Sequence, residues 1–264
     1  MNSYKKLIEI QTKNKSILCV GLDSDIDKLP IHLKTKGIKG LVEFNKNIID
    51  CTKDLCCAYK INFAFYEQFG IDGIAALRKT FEFIPSEIFT IADAKRGDIG
   101  NTSTAYAKSI FEIYDADSIT VSPYMGKDSI LPFLEFTNKL TFLLALTSNP
   151  SSLDFQRLES NGKPVYQHVI QKSMEWSEKD NIGYVVGATH PKELEEIRSY
   201  CKENVILIPG IGSQGGDISA TLKANNNKPA IINVSRAIIY CSSESDYAEK
   251  ARLEAIKYKN SFSL

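Results

Sequence analysis

The sequence has no excess of either charge: 32 Lys and Arg face 32 Asp and Glu, for a formal net charge of zero. Nothing draws the whole molecule to nucleic acid or to an anionic membrane, so any anion binding must be local. Metal-ligating side chains are few and scattered. The three histidines (His32, His168 and His190) lie far apart, and none of the six cysteines (Cys19, Cys51, Cys56, Cys57, Cys201 and Cys241) forms a C-x-x-C pair. This spacing argues against a zinc or redox centre and predicts buried, reduced thiols in a cytoplasmic protein. Long apolar runs are also missing. Lys5 and Lys6 are followed by Leu7 and Ile8, but Glu9, Gln11, Thr12 and Lys13 come at once, which is no signal-peptide core. No later stretch approaches the length of a membrane span.

What is present is a core-forming composition, 43% hydrophobic and 24% charged, arranged in a repeating pattern. Eight short runs read as strands: 17–22, 58–63, 89–94, 118–122, 141–147, 184–188, 205–209 and 230–235. They are apolar nearly throughout, as strands buried on both faces are. Amphipathic stretches lie between them, including the stripes Leu41, Phe44, Ile48, Leu55 and Ala107, Ile110, Phe111, Tyr114, and the series Leu194, Ile197, Cys201. Eight strand–helix alternations are the count that closes a (β/α)8 TIM barrel, here with an extra N-terminal helix carrying Tyr4, Leu7 and Ile8 on one face. A doubly wound open sheet is the alternative, but Asp23-Ser24-Asp25 follows the first strand where its Gly-rich turn belongs. No linker interrupts the chain, so 1–264 reads as one domain. The longest non-periodic piece, 148–163, has the length of a functional lid.

Barrels of this kind build their active sites at the C-terminal ends of the strands. Those ends carry Asp23, Lys60 with Asn62, Asp93 with Lys95 and Asp98, Thr147 with Ser148, and Ser235 with Arg236. Asp93 and Lys95 are two apart, so on a regular strand they share a face. Pointed inward with Lys60 and Asp98, they form an array of alternating sign, which a closed site requires. After the seventh strand comes Pro209-Gly210-Ile211-Gly212-Ser213-Gln214-Gly215-Gly216-Asp217, and the eighth ends in Asn233-Val234-Ser235-Arg236. These positions, with Gly backbone N–H groups and an Arg fork, suit a phosphate.

At these residues the chain resembles the orotidine 5'-monophosphate decarboxylases. The matching blocks are Val20-Gly21-Leu22-Asp23, Lys60-Ile61-Asn62-Phe63-Ala64-Phe65-Tyr66-Glu67, Asp93-Ala94-Lys95-Arg96-Gly97-Asp98-Ile99-Gly100-Asn101-Thr102, and the loop Pro209–Gly212 with Gln214-Gly215-Gly216-Asp217. The second and third blocks look like the branch found in many bacteria and in malaria-type parasites. The resemblance implies a nucleotide substrate, no metal and no organic cofactor. It makes Lys95 the proton donor to C6 of the pyrimidine, sets Asp93 against the substrate carboxylate, and has Lys60 bridge the acidic groups. It implies that Asp23 and Lys60 hold the ribose, that Asn62 lines the site, and that Thr147 and Ser148 contact the base. Pro209 and Gln214 would close over base and phosphate, with Ser235 and Arg236 at the phosphate. Asp98, Ile99 and Thr102 would complete the neighbouring site of a homodimer. The nearest rivals are the Mg2+-dependent 3-keto-gulonate-phosphate decarboxylases and hexulose-phosphate synthases, whose Asp-x-Lys-x-x-Asp pattern is similar.

Overall fold

The computed structural model describes residues 2–177, 180–212 and 215–262. Eight parallel strands follow one another in chain order around a closed barrel, as the strand count predicts. They are β1 (Leu18–Gly21), β2 (Ala58–Asn62), β3 (Phe89–Arg96), β4 (Ser118–Val121), β5 (Leu140–Leu146), β6 (Ile182–Val186), β7 (Ile206–Pro209) and β8 (Ala230–Val234). Every residue of β1, β4, β6 and β8 is buried, which is why these runs are apolar without alternation. Contacts divide the chain into two compact units, Lys5–Ala94 with Asn233–Leu264, and Met1–Tyr4 with Lys95–Ile232.

In the first unit, the helix Ile38–Thr52 buries Leu41, Phe44 and Ile48, while Leu55 is buried beyond its end. Phe44 stacks on Tyr247 of the helix Tyr247–Ser261, with ring centroids 5.1 Å apart. The expected N-terminal helix is Ser3–Asn14. Leu7 is fully buried, and the Asn14 amide donates to the carbonyls of Lys53 (3.1 Å) and Cys56 (2.7 Å), just before β2 begins. The helix therefore covers the N-terminal end of β2.

In the second unit, the helix Gly100–Lys108 runs into a wide turn at Ser109–Ile113, and Ala107, Ile110 and Phe111 are buried. Leu194 and Ile197 are buried on the helix Pro191–Tyr200, with Cys201 just past its end. The piece after β5 departs from expectation. It holds a 3-10 turn at Pro150–Leu153 and a small antiparallel hairpin pairing Glu159–Ser160 with Lys163–Pro164. Asn161 and Gly162 make the hairpin turn at φ 51° and 72°. This is the Asn-Gly two-residue turn chemistry, which an apolar-periodicity reading passes over. Among the described residues no helix is long and apolar enough to cross a membrane.

Candidate active site

Lys60 is the hub of the first unit's charged cluster. Parallel register sets Gly21 beside Lys60 and Asn62 beside Asp93. The Lys60 ammonium donates to Asp93 Oδ2 at 2.8 Å and to Asp23 Oδ1 at 3.1 Å. Lys60 and Asp93 are only 5% and 7% exposed. Burial alone would depress the Lys60 ammonium, but the Asp23 and Asp93 carboxylates outweigh it and hold its pKa well above the usual lysine value. The ammonium thus links the ends of two strands to the loop after a third through two carboxylates.

The loop carrying Asp23 is braced by groups of which only Tyr66 lies in a matching block. The buried Asn45 amide donates to Tyr66 Oη and Thr80 Oγ1, both at 2.9 Å, and accepts from Ser24 Oγ at 2.6 Å. Tyr66 Oη in turn donates to the Leu22 carbonyl at 3.1 Å. On the other side of the loop, Tyr240 Oη donates to the Asp23 carbonyl at 3.0 Å and accepts from Asp25 N–H at 2.6 Å. Gly21 has a steric reason: a Cβ there would come within 2.7 Å of Ser235 Cβ and 3.0 Å of Asn233 Oδ1. Ser235 Oγ donates to the Gly21 carbonyl at 3.0 Å, and Arg236, exposed, opens the short helix Arg236–Ile239. Asn233 Oδ1 is a buried acceptor without a hydrogen-bond partner among the described residues; it sits in the segment expected at the phosphate, where no motif fixes its role. Asn62 Oδ1 accepts from Ala64 N–H at 3.2 Å.

Along β3 the regular alternation stops at Lys95, whose φ is +46°. Its N–H donates to Thr120 Oγ1 at 3.1 Å. Left-handed backbone at a residue other than Gly costs on the order of 1–3 kcal/mol, and such strain gathers at functional positions. Asp93 is buried and Lys95 exposed. The second carboxylate on the Lys60 ammonium is that of Asp23. The Asp98 carboxylate accepts from Ile99 N–H at 2.8 Å, where the chain enters the helix Gly100–Lys108. Ile99 is 52% exposed and Thr102 is exposed beside it.

Thr147 follows β5 and is held by Gln156, while the backbone of Ser148 lies against Gly187; a Cβ on Gly187 would approach Ser148 within 2.9 Å. Pro209 ends β7, and its carbonyl accepts from Ala188 N–H at 2.8 Å. The following loop has φ 102°, 83° and 79° at Gly210, Gly212 and Gly215, so its course needs glycine. Gln214 lies outside the described residues. Asp217 closes the loop as a cap, accepting from Ala220 N–H at 3.1 Å.

A family model described as "Orotidine 5'-phosphate decarboxylase / HUMPS family" matches residues 16–251. An orotidine 5'-phosphate decarboxylase of Christiangramia forsetii is 51% identical over 261 residues, covering 97% of this chain and 96% of its own. Among solved structures, Leishmania donovani OMP decarboxylase superposes with a TM-score of 0.85 at 35% identity, covering 99% of both chains. Leishmania donovani UMP synthase superposes with a TM-score of 0.86 at 37% identity; 98% of this chain matches 57% of that longer one. A model match over most of the length, and a relative about half identical end to end, establish that this chain belongs to the orotidine 5'-phosphate decarboxylase / HUMPS family.

Proposed function

We propose that this protein decarboxylates orotidine 5'-monophosphate to uridine 5'-monophosphate and CO2, the last step of de novo UMP synthesis, as one catalytic domain. The observation that carries this is the buried Lys60 ammonium shared by Asp23 and Asp93, on the strand that continues to Lys95. When the C6–carboxylate bond breaks, its electron pair stays on C6, where no neighbouring carbonyl can take it up. The Lys95 ammonium stabilises that charge and transfers a proton to C6. Asp93, ion-paired with Lys60, crowds the substrate carboxylate with like charge that is relieved as CO2 leaves.

Asp23 and Lys60 hold the ribose, with Asn62 beside them. Thr147 and Ser148 meet the base. Pro209 and Gln214 close over base and phosphate, and Ser235 and Arg236 take the phosphate, whose remote binding energy organises the site. Asp98, Ile99 and Thr102 complete the site of a second subunit in a homodimer. The 52% exposure of Ile99, an apolar side chain just after β3, supports that role. The enzyme is cytoplasmic and works without metal or organic cofactor.

Loss of orotidine-monophosphate absorbance in the presence of EDTA tests the reading. Turnover is expected to be unaffected by the chelator. Activity that EDTA removes and Mg2+ restores sinks it in favour of enediolate chemistry. For the shared site, mixing inactive Asp98→Ala and inactive Lys95→Ala proteins is expected to return about a quarter of normal activity. Half the dimers are then hybrids, with one intact site in two.

A further inference from the structure

The segment 149–164 after β5 is fastened to Thr147 through its N–H and its hydroxyl, while its carbonyl is held by His190. Gln156 clamps it twice: its Oε1 accepts Thr147 N–H at 2.8 Å, and its Nε2 donates to Thr147 Oγ1 at 2.9 Å. The Thr147 hydroxyl passes its own proton on to Asn149 Oδ1, 2.6 Å away. The Thr147 carbonyl is 3.1 Å from His190 Nε2. The other ring nitrogen of His190 lies 3.0 Å from an Arg157 guanidinium nitrogen, which can only donate. His190 Nδ1 is therefore the acceptor, and Nε2 carries the proton that the Thr147 carbonyl accepts. Arg157 is itself fixed by Glu193 at 2.6 Å. Gln156 is anchored too, its carbonyl accepting Tyr166 N–H at 3.0 Å where the helix Val165–Ser173 begins. Ser148, the next residue, has Gly187 against its backbone.

We infer that Gln156 is a positioning residue of the reaction, setting Thr147 and Ser148 where the pyrimidine meets them. This rests on the reading that these two residues contact the base. Gln156 touches no reacting atom. Its amide fixes both the backbone N–H and the side-chain oxygen of one residue, so it sets the height and the rotation of the strand end together. Misplacing an orienting group by an ångström is enough to weaken binding and slow turnover severely. The sequence alone had made this segment a structureless lid, yet its bonds make it a strap.

The test measures binding of uridine 5'-monophosphate and of ribose 5-phosphate, which lacks the base, to Gln156→Ala. Gln156→Met serves as the variant of preserved length if the alanine protein fails to fold. The expected result is roughly tenfold or greater weakening for the nucleotide, a matching fall in kcat/KM, and less than twofold change for ribose 5-phosphate. Equal weakening of both ligands means that Gln156 only supports the fold, and no weakening of either removes its role; each outcome overturns the proposal. Ser148→Ala separates the two layers of the argument. If it leaves nucleotide affinity unchanged, the base-contact reading itself falls. If it weakens affinity while Gln156→Ala does not, only the positioning role falls.

Discussion

Two buried cations in this molecule are handled in opposite ways. Lys60 sits among carboxylates, Asp93 at 2.8 Å and Asp23 at 3.1 Å, and its pKa is driven up. Arg198, 5% exposed, is bound instead by neutral acceptors. Its Nε donates to Asn225 Oδ1 (2.9 Å), Nη1 to the carbonyls of Cys201 (3.1 Å) and Asn204 (2.9 Å), and Nη2 to that of Pro229 (2.7 Å). Burial pushes the Arg198 guanidinium down to about 10. Asn204 and Pro229 precede β7 and β8, so Arg198 ties together the N-terminal approaches to two strands, whereas Asp23 and Asp93 sit near C-terminal strand ends. A cation matched by dipoles fixes geometry and has no charge to exchange. A cation held between two carboxylates keeps charged groups together at the strand ends, where a reaction that moves charge can use them.

The largest effect should come from Lys95→Ala, a change confined to the chemical end of this contrast. Removing the proton donor and the charge beside the developing carbanion should lower kcat by about three orders of magnitude or more. The thermal midpoint should hardly move, because the side chain is exposed. A variant that keeps a tenth of the turnover means the proton comes from elsewhere. Next come Lys60→Ala and Arg198→Ala, compared directly. Each should destabilise the fold by roughly 3–5 kcal/mol, one by stranding buried carboxylates and the other by stranding buried carbonyls. Only Lys60→Ala should lose turnover at a temperature where both proteins remain folded by circular dichroism. If Arg198→Ala is equally dead there, the division between chemical and architectural cations is wrong.

Arg236 offers a third kind of cation, exposed and at the mouth of β8. Arg236→Ala should reduce kcat/KM by about 2–4 kcal/mol, the value of a charge-assisted phosphate contact. The loss should shrink for the substrate without its phosphate. Equal losses for both substrates make Arg236 a structural residue like Arg198.

The barrel was legible because its strands are short, apolar and punctuated, and all eight fall within two residues of their expected ends. Asp23, Lys60 and Asp93 could be read because charge after an apolar run is conspicuous. The backbone at Lys95 could not, since spacing along β3 says nothing of the left-handed φ there. Of the residues that brace the Asp23 loop, Asn45 and Tyr240 carry no signal, and Tyr66 lies in a matching block that does not mark this role. Each is a common residue on an ordinary helix or loop, and only the fold brings them to Leu22, Asp23 and Ser24. Gln156 and His190 were hidden in the same way, inside and beyond a segment whose polar composition reads as loop.

The smallest expected effect is a flat line, and it sharpens the contrast from the side of protonation. Because the fold raises the pKa of Lys60, the protonated form is the one that folding favours. Below about pH 10.4, the unperturbed lysine value, folded and unfolded chains both carry that proton, and the stabilisation from the cluster is fully present. Above it the unfolded chain gives the proton up while the folded one keeps it, so stability declines as pH rises toward the folded value. Denaturant unfolding of the native protein and of Lys60→Met should therefore differ by a constant amount from pH 6 to 9. The difference should narrow only beyond about pH 10. A native protein that already gains stability over Lys60→Met between pH 7 and 9 would place the Lys60 titration below its ordinary range. Burial would then outweigh the two carboxylates, and Lys60 would be a desolvation-dominated cation of the same kind as Arg198.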